Sequence, residues 1–213
     1  MRTRIILANL QRRPMRSLVS VVAVALEVIL ILMIVGLVNG MINDRRSRIS
    51  GIGADIVVRS GSGSMFAELS GNTLPLKLAQ VFARVPGVAA VAPTAYSLTT
   101  GAEAVGGVNL TSFDQVSGGF QFVKGRAFQP GTREAIVDDL EAAGKHYRLG
   151  SPIALLGQTF HVVGIFEHGM GSRIFVDLGE LDSLSASPGK AAVFWIKLQP
   201  GANLGAATAA LHK

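Results

Sequence analysis

Between Leu18 and Ile42 the chain is almost without polar positions. Only Ser20, Glu27, Gly36, Asn39 and Gly40 interrupt 25 residues of valine, isoleucine, leucine, alanine and methionine. At 1.5 Å rise per residue, Val19 to Val38 alone reaches about 30 Å, the thickness of a bilayer's hydrocarbon core. The pattern predicts a transmembrane helix over residues 17–42, with Pro14 suited to the turn that leads into it. Ala23-Val24-Ala25 has the spacing of a signal-peptidase site behind a basic stretch, but the apolar run continues well beyond it. An uncleaved anchor is therefore expected rather than a removed leader.

From Asn43 onward the hydrophobic pattern is that of an α+β domain, large enough to bury a core without staples. Ala54-Asp-Ile-Val-Val-Arg59 predicts a first strand, followed by a Ser60–Ser64 loop of serine and glycine. Pro75 to Arg84 reads as a helix with Leu78, Val81 and Phe82 inward, stopped by Pro86-Gly87. Val88 to Thr99 predicts a strand, with Val105 to Phe113 its partner. Ala135 to Asp138 predicts a short strand and Leu140 to Tyr147 a short helix. Ser151 to Leu156 and Thr159 to Glu167 read as two strands joined at Gly157-Gln158, where a leading glycine fits a type II′ turn. Arg173 to Asp177 (strand), Leu178 to Leu184 (helical turn), Ala191 to Leu198 (buried strand) and Leu204 to Lys213 (helix, capped by Asn203) complete the chain. The fold class is α+β: one N-terminal transmembrane helix followed by a mixed α/β domain over residues 43–213.

Charge decides what the protein meets. The net charge is +6, and charged residues make up only 16% of the chain. Five arginines, Arg2, Arg4, Arg12, Arg13 and Arg16, stand in residues 1–16 without an acid, whereas the chain beyond residue 58 is close to neutral. A nucleic-acid binder would carry its basic stripe on the folded domain, so that class is excluded and a lipid membrane is the expected surface. Arg12, Arg13 and Arg16 beside the helix place the N-terminus in the cytoplasm and the domain outside, periplasmic or extracellular. Residues 4–11 read either as an interfacial helix with Ile6, Leu7 and Leu10 in lipid or as a disordered basic tail.

Glu27 is expected near the middle of the span, where a carboxylate costs about 2.5–3.5 kcal/mol on insertion scales. Ser20 and Ala23 share its face, while Gly36, with Gly40 in a G-x-x-x-G spacing, falls opposite. Two special faces suggest a helix packed on both sides, with Ser20, Glu27, Gly36 and Gly40 as packing candidates. The alternative is a protonated or snorkelling glutamate in a lone anchor.

Catalytic signals are missing. Without cysteine there is no thiol nucleophile, which removes the sortase reading that the strand pair around Gly157 superficially suggests. There is no G-x-S-x-G, no H-E-x-x-H and no G-x-x-x-x-G-K-[ST]. His146, His161, His168 and His212 are scattered, and His161 in a strand reads as sheet surface rather than a ligand. Asp138, Asp139 and Glu141 read either as a cation or carboxylate site or, more simply, as acids placed at a helix N-terminus. Neither cofactor nor metal is expected.

The order of fragments resembles a known family. Asn9-Leu-Gln-Arg-Arg-Pro-Met-Arg-Ser17 before the helix, Gly53-Ala-Asp-Ile-Val57, Val85-Pro-Gly-Val-Ala-Ala-Val-Ala-Pro93 and Lys124-Gly-Arg-Ala-Phe128 stand in the order found in ABC transporter permeases of the MacB/FtsX type. Leu149-Gly-Ser-Pro-Ile153 through Phe160-His-Val-Val-Gly-Ile165, and Ile196-Lys-Leu-Gln-Pro-Gly-Ala-Asn203, continue the likeness. Ser151 is a small departure, standing where the family often has an acidic residue or lysine. The resemblance implies a MacB-like periplasmic core domain between a first and a second transmembrane helix, in the cell inner membrane. It implies a non-enzymatic permease subunit that couples a separate ABC ATPase to export or extraction of a substrate. Its other implied partners are a second permease copy, the C-terminal helices and a periplasmic adaptor. The family usually has four transmembrane helices, so the chain is expected to be a fragment, a split half or a truncated permease. A free-standing membrane-anchored binding or adaptor protein is the alternative.

Overall fold

The computed structural model describes residues 14–59, 74–99, 103–185 and 188–211. The expected interfacial segment 4–11, Arg12, Arg13, the Ser60–Ser64 loop and His212 lie outside the described residues. The chain forms two compact units, Met1–Arg46 and Ser47–Lys213.

Helix α1 runs over Pro14–Gly51 and contains the whole predicted span. It continues past Ile42 because Asn43-Asp-Arg-Arg-Ser-Arg48 holds no proline or glycine, and Arg48 in its last turn suits the negative end of the helix dipole. The large apolar side chains from Leu18 to Met41 are 47–67% exposed, so nothing among the described residues covers them.

The second unit is built on a nine-stranded mixed sheet. Its strands are β1 (Ile56–Arg59), β3 (Val88–Leu98), β4 (Ala104–Val108), β5 (Phe122–Gly125), β6 (Glu134–Asp138), β7 (Pro152–Leu155), β8 (Gln158–Phe166), β9 (Ile174–Asp177) and β11 (Val193–Leu198). They lie in the order β1-β11-β3-β4-β9-β6-β8-β5, with β7 also on β8. The β4/β9 and β6/β8 pairs are parallel and the others antiparallel. Strands β2 (Leu74–Pro75) and β10 (Lys190–Ala191) make a separate short pair.

The sheet is buried on both faces, which is why its central strands read as continuous apolar runs. Along β11, Val193 and Trp195 join a cluster with Ile52, Phe113, Phe120, Phe166 and Phe175, while Phe194 and Ile196 join Phe82 and Val88 on the other side. Leu181, Ile153, Phe160 and Val176 form a third cluster. Helices α2 (Leu78–Phe82), α3 (Leu110–Ser117), α4 (Asp139–Lys145), α5 (Leu178–Leu184) and α6 (Leu204–Leu211) accompany the strands. Strand β1 is tied to β11 beyond the ladder. Asp55 N–H donates to the Ile196 carbonyl at 2.9 Å, and Asp55 Oδ2 accepts from Leu198 N–H at 2.8 Å.

Four local expectations are corrected. Val105 to Phe113 is not one strand, because Asn109 Oδ1 accepts from Ser112 N–H at 3.1 Å and starts α3 there. Val81 is 56% exposed; in a helix of five residues the inward positions are Leu78, Ala79 and Phe82. The Pro75–Arg84 helix is shorter than expected, since Leu74 and Pro75 pair with β10. The β7/β8 turn is centred on Leu156-Gly157, not Gly157-Gln158: Leu155 pairs with Gln158, and φ is +53° and +75° at the two central residues, the signs of type I′ rather than II′.

Candidate functional site

The end of α1 is built into the domain. Residues 47–52 pack against the loop that follows β8, residues 167–172, through three contacts, and a fourth joins Arg48 to Asp138. The Arg48 carbonyl accepts from Gly171 N–H at 3.0 Å. Gly51 passes so close to Gly169 that a Cβ at Gly51 would overlap the Gly169 carbonyl oxygen, so no side chain fits. Ile52 is completely buried and touches the loop at Gly171, where an added Cβ would lie 3.2 Å from Ile52 Cδ1. Both Nη atoms of Arg48 face Asp138 Oδ2, at 3.4 and 3.5 Å.

Asp138 and Asp139, at the β6–α4 junction, serve both sides of this contact. The Asp138 side chain is fully buried, and its Oδ1 accepts from Glu141 N–H at 2.6 Å to cap α4. Asp139 Oδ1 accepts from His168 N–H at 3.1 Å and meets His168 Nδ1 at 2.9 Å. Asp138 thus holds the helix end and Asp139 holds the loop. Beside them lies an open polar cleft of about 390 Å³, lined among others by Ser47, Ser50, Ser117, Gln121, Glu167 and His168.

A second charged group lies behind α4. Burial pushes the Glu141 carboxyl above its ordinary range, Glu103 adds to this, and Arg173 at 3.9 Å opposes it. Glu141 Oε1 has no hydrogen-bond partner. Lys145 pairs with Glu103 at 2.6 Å, which raises the lysine's pKa. On the far side of β6, the Arg126 guanidinium donates twice to Glu134, at 2.6 and 2.8 Å, and holds that carboxyl below its usual range.

Of the two readings of Asp138, Asp139 and Glu141, the helix-terminus reading describes α4. Among the described residues no group of three or more His, Asp or Glu side chains could hold a metal ion. His161 is exposed on β8. Arg16, Ser20, Glu27, Gly36 and Gly40 all lie on α1; Ser20 and Glu27 are exposed, and a Cβ at Gly36 or Gly40 would meet nothing within 4 Å. Sequence reasoning missed Arg48 and the loop at Gly169. Arg48 counted only as flanking charge, and its partner is 90 residues away.

The chain matches the model of one family, the MacB-like periplasmic core domain, over residues 17–213, from within the apolar helix to the end of the mixed sheet domain. The chain belongs to that family. MacB-like domains are parts of ABC-type transporter permeases, and the match begins inside α1. No curated protein sequence matches the chain. Among solved structures, the periplasmic region of MacB from Actinobacillus actinomycetemcomitans is similar at 16% identity with a TM-score of 0.60, covering 76% of this chain and 83% of that one. The extracellular domain of the noncanonic ABC-type transporter YknZ from Gram-positive bacteria is similar at 18% identity with a TM-score of 0.54, covering 71% and 86%. At these identities the likeness is one of fold, and the α+β class with an N-terminal apolar helix is that of the MacB-like family.

Proposed function

We propose that the chain is a permease component of an ABC transporter that couples a separate ATPase to export or extraction of a substrate at the outer face of the membrane. The observation that supports this best is the continuous family match from within α1 to the end of the domain. In this reading α1 crosses the inner membrane, Arg12, Arg13 and Arg16 keep its N-terminus cytoplasmic, and the MacB-like domain is periplasmic or extracellular. The exposed apolar surface of α1 supports contact with lipid and with further helices, through Ser20 and Glu27 on one face and Gly36 and Gly40 on the other. The domain contributes mechanics and binding, and the chemistry of ATP belongs to the partner. A second permease copy and a periplasmic adaptor complete the proposed assembly.

Co-expression with each ABC ATPase of the source genome that lacks a fused permease tests this. The expected result is co-purification with one of them in detergent and ATP hydrolysis faster than that of the ATPase alone. A chain that inserts in the membrane but neither binds nor stimulates any such ATPase would instead be a free-standing anchored adaptor, and the proposal would fall.

A further inference from the structure

We propose that helix α4 is a proton-operated latch of the domain, closed on the sheet while the Glu141 carboxyl is neutral and lifted when that carboxyl ionises. The latch belongs to the domain alone, whether or not the chain works as a permease.

Its weakness lies in what α4 puts against the sheet. Of its seven residues only Glu141 and Ala142 are buried, while Leu140, its one large apolar side chain, is 45% exposed. Ala142 enters the cluster that holds Val137, Val176 and Leu181, and Tyr147, just beyond the helix, packs against the same cluster. Other helices bury large apolar groups, Phe113 in α3 and Leu181 in α5. A helix seated by one methyl group and one carboxyl gains far less from burial, so the state of the carboxyl decides how firmly it sits.

The surroundings of Glu141 favour the neutral form. Its side chain is only 9% exposed, and Oε1 meets no donor. Around it stand Glu103 before β4, Asp138 at the end of β6, Arg173 before β9, Lys145 in α4 itself and Tyr147 after it. Both neighbouring carboxylates repel a charge on Glu141. Of the two cations, Lys145 Nζ is engaged by Glu103 at 2.6 Å, and Arg173, 43% exposed, approaches only to 3.9 Å. Tyr147 is held neutral by burial and by these acids and brings no counter-charge. A protonated Glu141 needs none. An ionised one is desolvated and lacks a hydrogen bond, which favours any conformation that returns it to water. Because α4 buries so little, lifting it does this at less cost than unfolding the sheet. Opening therefore grows as pH rises from the ordinary glutamate pKa through the raised one, and levels off above it. The lifted helix uncovers the apolar cluster where Ala142 sits.

Amide hydrogen exchange on the full chain in detergent, with Glu141→Gln as the reference at each pH, separates opening from the ordinary base catalysis of exchange. The reporters are the amide of residue 141, bonded to Asp138 Oδ1, and Tyr147 N–H, bonded to the Ala142 carbonyl. Near about pH 4 the two proteins should exchange alike. Toward about pH 8 the wild type should outrun Glu141→Gln at these amides, by roughly tenfold for each pH unit between the ordinary and the raised pKa. Its α4 amides should then be insensitive to dilute denaturant, whereas those of β3 and β11 speed up with it. Glu103→Gln removes a repelling charge and frees Lys145, so it should slow wild-type exchange toward that of Glu141→Gln. Equal exchange in wild type and Glu141→Gln at every pH, α4 amides that share the denaturant slope of β3 and β11, or no effect of Glu103→Gln would each overturn the latch.

Discussion

The indole N–H of Trp195 donates to Thr94 Oγ1 at 3.1 Å, between β11 and β3, with both residues buried. Thr94→Val keeps the shape and removes the acceptor, leaving a buried donor unpaired at a cost of about 1–3 kcal/mol. For a domain of this size that corresponds to a loss of roughly 2–12 °C in Tm. Thr94→Ser should recover most of it. The fluorescence of Trp195, the one tryptophan in the chain, follows the unfolding.

Glu141 gives a pH dependence of defined sign. Its folded-state pKa is raised, first by burial, so between the ordinary and the raised pKa the native state holds a proton that the unfolded state has lost. Stability therefore falls as pH rises from the ordinary glutamate pKa through the raised one, and the loss is complete above it. Glu141→Gln should melt higher than wild type at pH 7, by a few degrees, and the difference should vanish in acid where Glu141 is protonated in both states. Glu134 acts in the opposite direction: its pKa is lowered by Arg126, so its contribution is present above the ordinary glutamate pKa and disappears as pH falls through the lowered one. Melting curves of Glu141→Gln and Glu134→Gln across pH 3–8 should show the two opposite slopes.

Gly107 in β4 makes room for α5. A Cβ there would lie 2.6 Å from Leu181 Cδ2 and 2.9 Å from Leu181 Cβ. Gly107→Ala should destabilise by about 1–3 kcal/mol through overpacking. Combining it with Leu181→Ala should cost less than the sum of the two changes, as a double-mutant cycle by denaturant unfolding would show.

Glu27 should matter to assembly and not to the folded domain. Glu27→Leu is expected to weaken association of α1 with partner helices in the membrane, measured by co-purification of a tagged second copy or of the companion permease helices. The melting temperature of the domain should remain unchanged, because Glu27 lies in the first compact unit.

What could be seen in the sequence follows the range of the interactions involved. The apolar helix around Glu27, β6, β9 and α5 were legible because period and composition are local signals, and Leu178–Leu184 has the predicted bounds. The family order was legible as well, from short fragments spread along the chain. Asn109 shows where local reading fails: Val105 to Phe113 is apolar enough for a strand, but one capping side chain turns Phe113 onto a helix that covers the sheet. Leu156 shows another failure, since a leucine at φ +53° contradicts its own preference and is held there by the pairing of Leu155 with Gln158. The site depended on the longest separations. Nothing near Arg48 announces Asp138, and nothing near Gly51 announces Gly169.

The hydrogen-bonded pairing of β1 with β11 has a mechanical consequence. The two strands are antiparallel, with Ile56 opposite Ile196, so the first residue of the domain's sheet and nearly the last stand at the same end of one ladder. Tension that draws these ends apart would open that ladder like a zipper, one bond at a time, instead of shearing all of its bonds together. Asp55 sits at the place where such opening would begin, and there it grips Leu198 N–H and lies 3.5 Å from Lys197 Nζ. One short side chain thus adds two contacts at the point where a domain pulled from its two ends would begin to come apart.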